Sequence, residues 1–146
     1  MTFSGFNAHT DDIFKDLKLL KVRDIIKMQQ LKVAYDFLNN SLPIELMSLF
    51  TRSNDVHPDF ELNSSINNLL YIPRVITTTY GIKSIRYHCA KLWNDYFKNG
   101  SIQVKDMHEK NSVIQLNKIK SVHNFKNALK RHFIHQYSVD DEIIFY

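Results

Sequence analysis

The sequence predicts a mainly α fold with a small β hairpin, an α+β arrangement in a chain the size of one domain. Three observations carry this. Apolar residues recur at helical spacing in residues 9–50 and again in 121–137. Between them, residues 76–88 are first β-branched and then alternate between polar and apolar, as short strands do. Finally, 44% apolar and 23% charged residues over 146 suit a globular domain rather than a disordered polyelectrolyte. Three Gly and three Pro leave no room for a collagen-like or Pro-rich segment.

Residues 1–50 read as a helical hairpin region. Thr10 is the expected N-cap, with Asp11, Asp12 and Asp16 at the positive end of a helix dipole and Ile13, Phe14, Leu17 and Leu20 along one face. A longer helix is expected from about Val22 to Asn39, with two apolar stripes: Val22, Ile26, Val33 and Phe37 on one side, and Met28, Leu31, Tyr35 and Leu38 on the other. A helix apolar on two sides packs between two neighbours, so this one is expected to be central. Asn39-Asn40 ends it, since Asn tolerates a left-handed conformation. Pro43 then opens a short helix through Leu49, with Leu46, Leu49 and Phe50 turned inward.

Residues 51–75 have little period and hold Pro58 and Pro73, so an extended connection is expected. In the next part, 76–137, Val75–Tyr80 and Ser84–His88 are expected to pair as a hairpin turning at Gly81. A short helix from Cys89 to about Phe97 carries Leu92, Trp93, Tyr96 and Phe97, and Val113–Leu116 reads as a strand. Ser121 is the expected cap of an amphipathic helix to about Tyr137, with Val122, Phe125, Leu129, Phe133 and Tyr137 as its apolar stripe. Residues 138–146 form an acidic and then apolar tail.

Charge is uneven along the chain. Residues 1–59 carry a net −1, residues 60–138 a net +8 and residues 139–146 a net −3. A basic second half attracts polyanions with salt-dependent affinity, although a basic solvated face with no ligand is an equally ordinary use of such charge. No window is apolar enough to span a membrane, and Met1–His9 lacks the basic start and apolar run of a secretory signal. A lone cysteine, Cys89, forms no internal disulfide and fits a reducing compartment, so an intracellular protein is expected.

Four blocks of the sequence resemble the C-terminal region, beyond the polymerase palm, of reverse transcriptases from non-LTR (LINE-like) retrotransposons. His9-Thr10, Ile13-Phe14 and Leu17…Leu20 resemble that family's "H-x-x-x-L-F-x-x-L-x-(I/L)-L" opening. Val22–Ile25 through Leu42-Pro43 resembles its long helix ending in "N-x-L-P". Gly81–Tyr87 with Leu92-Trp93-Asn94 resembles its "G-x-x-S-(I/F)-x-(Y/F)-x-x-x-x-(L/I)-W-N" block. Ser121…Phe125-Lys126…Leu129-Lys130 resembles its closing "S-x-x-x-F-K-x-x-L-K" helix. The blocks occur in the family's order. Departures are the absence of the family's Arg-containing segment around Val56–Phe60, Asp95-Tyr96-Phe97 after Trp93-Asn94, and the stretch Gly100–Leu116, which reads as an insertion between the last two blocks. The resemblance implies a non-catalytic fragment of an RNA-directed DNA polymerase, with the rest of that polyprotein and RNA or an RNA–DNA duplex as partners. It implies no cofactor, no metal and no small-molecule substrate for this part.

Constellations that carry chemistry elsewhere have plainer readings here. Tyr137-Ser138-Val139-Asp140-Asp141 echoes a "Y-x-D-D" metal hairpin, but the spacing is off by one and no third carboxylate is placed with it. His132 and His135 have metal-compatible spacing without a further ligand. His88-Cys89 lacks an oxyanion loop, Asp11 and Asp12 read as helix-start acids, and Trp93 reads as a core anchor rather than a base-stacking platform. The basic set remains: Lys118, Lys120, Lys126, Lys130 and Arg131 on or before the last helix, with Lys83, Arg86 and Lys91 near them if the expected strand packs there. Such a surface would hold phosphates without reading base sequence. The alternative reading is a small helical protein-interaction module with no nucleic-acid role, docking through Ile143–Tyr146 and the long loop.

Overall fold

A computed structural model describes residues 10–56, 68–77, 80–97, 101–105, 111–115, 119 and 121–137. Expectations for the tail, for Lys118 and for Lys120 lie outside the described residues. The mostly α class holds. In chain order the elements are α1 (Thr10–Asp16), α2 (Val22–Leu38), α3 (Ile44–Met47), α4 (Ser53–Val56), α5 (Ile85–Phe97), β1 (Ser101–Lys105), β2 (Asn111–Gln115) and α6 (Val122–Gln136).

α2 is the central helix and packs against both α5 and α6. Its 17 residues end where expected: Asn40 takes a φ of 54°, and Ser41 N–H donates to the Asp36 carbonyl at 2.8 Å. This is the left-handed helix ending that Asn supports without a glycine. The core joins Leu31, Ala34, Tyr35 and Phe37 of α2 to Cys89, Ala90, Trp93 and Phe97 of α5 and to Phe125, Leu129 and Phe133 of α6. Aromatic rings dominate its centre. Phe125 stacks on Tyr35 with centroids 4.3 Å apart, and also faces Trp93 at 6.2 Å and Phe97 at 6.3 Å. Burying each such ring contributes roughly 1.5–3 kcal/mol.

The expected stripe of α6 is buried from Phe125 to Tyr137, while Val122 is only half-buried. Ser121 occupies the N-cap with extended backbone but makes no side-chain capping bond. In α2 the outer stripe is not covered along its length. Val22 is 74% exposed and Ile25 and Ile26 are exposed too, since the neighbours of α2 meet its Leu31–Tyr35 face and leave the first turns uncovered on the other side. Pro43 precedes α3 rather than starting it, and Leu46 is exposed, so only Leu49 and Phe50 of the expected inward set turn toward the core.

The hairpin expected over residues 76–88 is not present: Ile85–Phe97 is one helix of 13 residues. Ser84 decides this. Its hydroxyl accepts from Tyr87 N–H at 3.3 Å, which caps the first turn, and donates to the Gly81 carbonyl at 2.7 Å. Five residues of alternation are also compatible with a helix, and Cys89, Ala90, Trp93 and Phe97 continue it with a buried face. The described strands lie later: β1 pairs antiparallel with β2, Ser101 opposite Gln115 and Lys105 opposite Asn111.

The described ends of the connection, 51–56 and 68–75, are tied down at two levels, and the expectation of an extended path over 57–67 lies outside the described residues. Thr51–Ser53 runs antiparallel to Leu69–Tyr71, with Tyr71 N–H donating to the Thr51 carbonyl at 2.9 Å and Ser53 N–H to the Leu69 carbonyl at 3.1 Å. Asn94 then reaches from α5, donating to the Leu70 carbonyl at 2.7 Å and accepting from Leu70 N–H at 2.9 Å. Its side-chain amide serves as one more rung of strand pairing. Trp93 Nε1 donates to the Asn68 carbonyl at 3.2 Å. The Trp93-Asn94 pair thus docks the connection onto the helix layer. No helix among the described residues is long and apolar enough to cross a membrane.

Candidate nucleic-acid interface

The basic residues named from sequence fall into two groups. Lys126 and Lys130 stand four residues apart on α6, one turn above the other and next to the buried Phe125–Phe133 stripe. Lys126 is half-buried and Lys130 exposed. Arg131 is exposed and lies about 100° further round the helix, on the side away from the core. The second group is Lys83, exposed in the turn before α5, Arg86, exposed in its first turn, and Lys91, exposed opposite the Cys89–Trp93 face.

α5 meets α6 through Trp93, Tyr96 and Phe97, near its C-terminal end. Arg86 is seven residues before Trp93, roughly 10 Å along the axis. The strand that was to carry Lys83 and Arg86 onto α6 is a helix and the turn before it, so the two groups occupy separate parts of the surface. Among the described residues, Lys83, Arg86, Lys91, Lys126 and Lys130 form no ion pair. In the first half, Lys27 pairs with Asp24 at 3.4 Å, Lys32 with Asp36, and Arg52 donates to the Leu38 carbonyl at 3.1 Å at the end of α2, while Lys15, Lys18 and Arg23 form no ion pair among the described residues. Cations without an ion pair therefore occur in both halves of the described chain.

Of the other constellations, Tyr137–Asp141 lies largely outside the described residues, and Cys89, His132 and Trp93 have structural surroundings. Cys89 is fully buried, and burial pushes its thiol up to about 11, which keeps it protonated and a poor nucleophile near neutral pH. His132 packs edge-on against Tyr96 and Phe133, with its Nε2 3.3 Å from the Gln136 amide. Among the described residues no three His, Cys, Asp or Glu side chains gather as a metal site, and no buried side-chain polar atom lacks a partner. Trp93 is buried in the core and unavailable to a base. The described surface carries charge and eleven exposed large apolar side chains, among them Val22, Ile44, Ile76 and Tyr80. Sequence patterning missed one group, Tyr80. It lies 82% exposed beside the second basic group, and no period marks an isolated exposed ring. No protein-family model, curated protein or solved structure matches the chain.

Proposed function

We propose that this chain is a non-catalytic C-terminal part of a retrotransposon RNA-directed DNA polymerase, and that it contacts RNA or an RNA–DNA duplex through Lys126, Lys130 and Arg131 of α6 together with Lys83, Arg86 and Lys91. Lys118 and Lys120 belong to the same proposed set. The reading is carried by the four blocks of resemblance, and chiefly by Trp93-Asn94. Their joint use to dock residues 68–71 gives that motif a physical reason to recur as a pair. Surface cations hold phosphates without reading base sequence, so the binding is weak, sequence-independent and salt-sensitive.

The test is charge reversal of Lys126, Lys130 and Arg131 to Glu, with retention on immobilised RNA as the readout. Retention at 100 mM salt should fall sharply, and the salt slope should drop by about 2 if each side chain meets one phosphate of a single strand. Unchanged retention would refute the role of α6.

One observation favours the second reading, a protein-interaction module. Leu17 and Leu19 after α1, with Val22, Ile25 and Ile26 of α2, leave apolar side chains in solvent. In the polymerase reading the preceding part of the polyprotein covers them. In the module reading a separate partner does, with binding insensitive to salt and abolished by removing Ile143–Tyr146.

A further inference from the structure

The turn that leads into α5 is built to present an aromatic ring. Gly81 N–H donates to both the carbonyl and the hydroxyl oxygen of Thr77 at 3.1 Å, and the Gly81 carbonyl accepts the Ser84 hydroxyl. A Cβ on Gly81 would stand 2.8 Å from the Thr77 carbonyl oxygen and 2.8 Å from Val75 Cβ, so only glycine closes the turn this tightly. The next residue back, Tyr80, points into solvent at 82% exposure, and Ile76 is 96% exposed. Arg74, six residues before Tyr80, and Lys83 and Arg86, three and six residues after it, are exposed too.

Charge in this region is one-sided to an unusual degree. Residues 62–94 contain no Asp or Glu at all, yet hold Arg74, Lys83, Arg86 and Lys91. A protein partner docking on exposed apolar side chains would need to tolerate four unneutralised cations. A polyanion is drawn in by them. An exposed ring with exposed cations close in sequence suits single strands, because every unpaired base offers a face to stack on while the backbone phosphates meet the cations. A duplex keeps its base faces covered and gains nothing from the ring.

We infer that the surface around the Gly81 turn is a single-strand binding site, with Tyr80 stacking on an unpaired base and Arg74, Lys83 and Arg86 holding the flanking phosphates. This rests on the nucleic-acid reading above but moves its centre from α6 to the turn before α5. RNA and DNA strands share the required chemistry, and the test separates them.

The experiment titrates the full chain into fluorescein-labelled oligouridylate and oligothymidylate of fifteen nucleotides, and into a blunt duplex of the same length, at low salt. Tyr80→Ala should weaken both single strands about ten-fold, Tyr80→Phe should restore the loss, and duplex binding should not move. Arg86→Gln should lower the salt slope on single strands by about 0.7. Tighter binding of oligouridylate than of oligothymidylate assigns the site to RNA, and the reverse order to DNA. Single-strand affinity unchanged in Tyr80→Ala, with salt-sensitive binding intact, would overturn the stacking site and leave the α6 surface standing. An equal loss on the duplex would overturn single-strand preference. A parent chain that binds none of the three probes would overturn this inference and the nucleic-acid function together.

Discussion

The Tyr137 hydroxyl donates to Oδ2 of Asp24 at 2.6 Å while accepting from the Lys21 backbone N–H at 3.0 Å. This joins the end of α6 to the start of α2 across 113 residues of chain. Asp24 is buried, and its other oxygen meets Lys27 at 3.4 Å. A carboxylate in that position is tolerable only while these partners remain. Tyr137→Phe removes both bonds, leaving the buried Asp24 carboxylate short of a donor and the Lys21 N–H short of an acceptor, so it should destabilise the fold by about 2 kcal/mol in urea unfolding. A change under 0.5 kcal/mol would mean that water replaces the hydroxyl freely.

Asn94 should be less replaceable than its half-buried position implies. Asn94→Ala takes away a donor and an acceptor from the Leu70 peptide, whose side chain is almost fully buried. A loss of about 2 kcal/mol is expected, and the Leu70 amide should exchange with solvent faster than the rest of the core. Equal exchange at Leu70 in parent and variant would show that the antiparallel contact with Arg52 holds residues 68–71 alone.

Phe125 is the ring on which α2, α5 and α6 converge. Phe125→Ala should cost about 3–5 kcal/mol, enough to unfold a domain of ordinary stability, whereas Phe125→Leu should cost less than half as much. Thermal unfolding followed by near-ultraviolet circular dichroism reads both through Trp93.

Cys89 supplies a pH-dependent check. Burial raises its thiol from the ordinary 9.0 to about 11, so the folded state holds a proton that the unfolded state releases earlier. Its contribution to stability is complete below about pH 9 and is lost as pH rises through about 11. At pH 8 a thiol reagent should leave the native protein unlabelled and react only as urea unfolds it. Prompt native labelling would place the thiol at the surface.

These relationships differ in how far the sequence discloses them. The α6 stripe and the centrality of α2 follow from local period, because one face of each helix is buried almost continuously. The hairpin expected from Val75–Tyr80 and Ser84–His88 fails because β-branching and a five-residue alternation are short-range signals, and the Ser84 cap with the helical face beyond it outweighs them. Asp24 with Tyr137 and Asn94 with Leu70 are hydrogen bonds between distant positions, and no periodicity marks them in advance. Of the basic set, residue type is legible in the chain, but division into two surface groups depends on where α5 meets α6.

The central claim is that the basic second half holds nucleic acid through phosphate contacts. Anisotropy of a labelled single-stranded RNA titrated with the full chain, repeated from 50 to 300 mM potassium chloride, tests it most directly. The account predicts that the logarithm of the affinity falls linearly with the logarithm of salt, with a slope of about −2 to −4 for three to six phosphate contacts. No binding at 50 mM, or binding whose affinity does not change across the series, would contradict it.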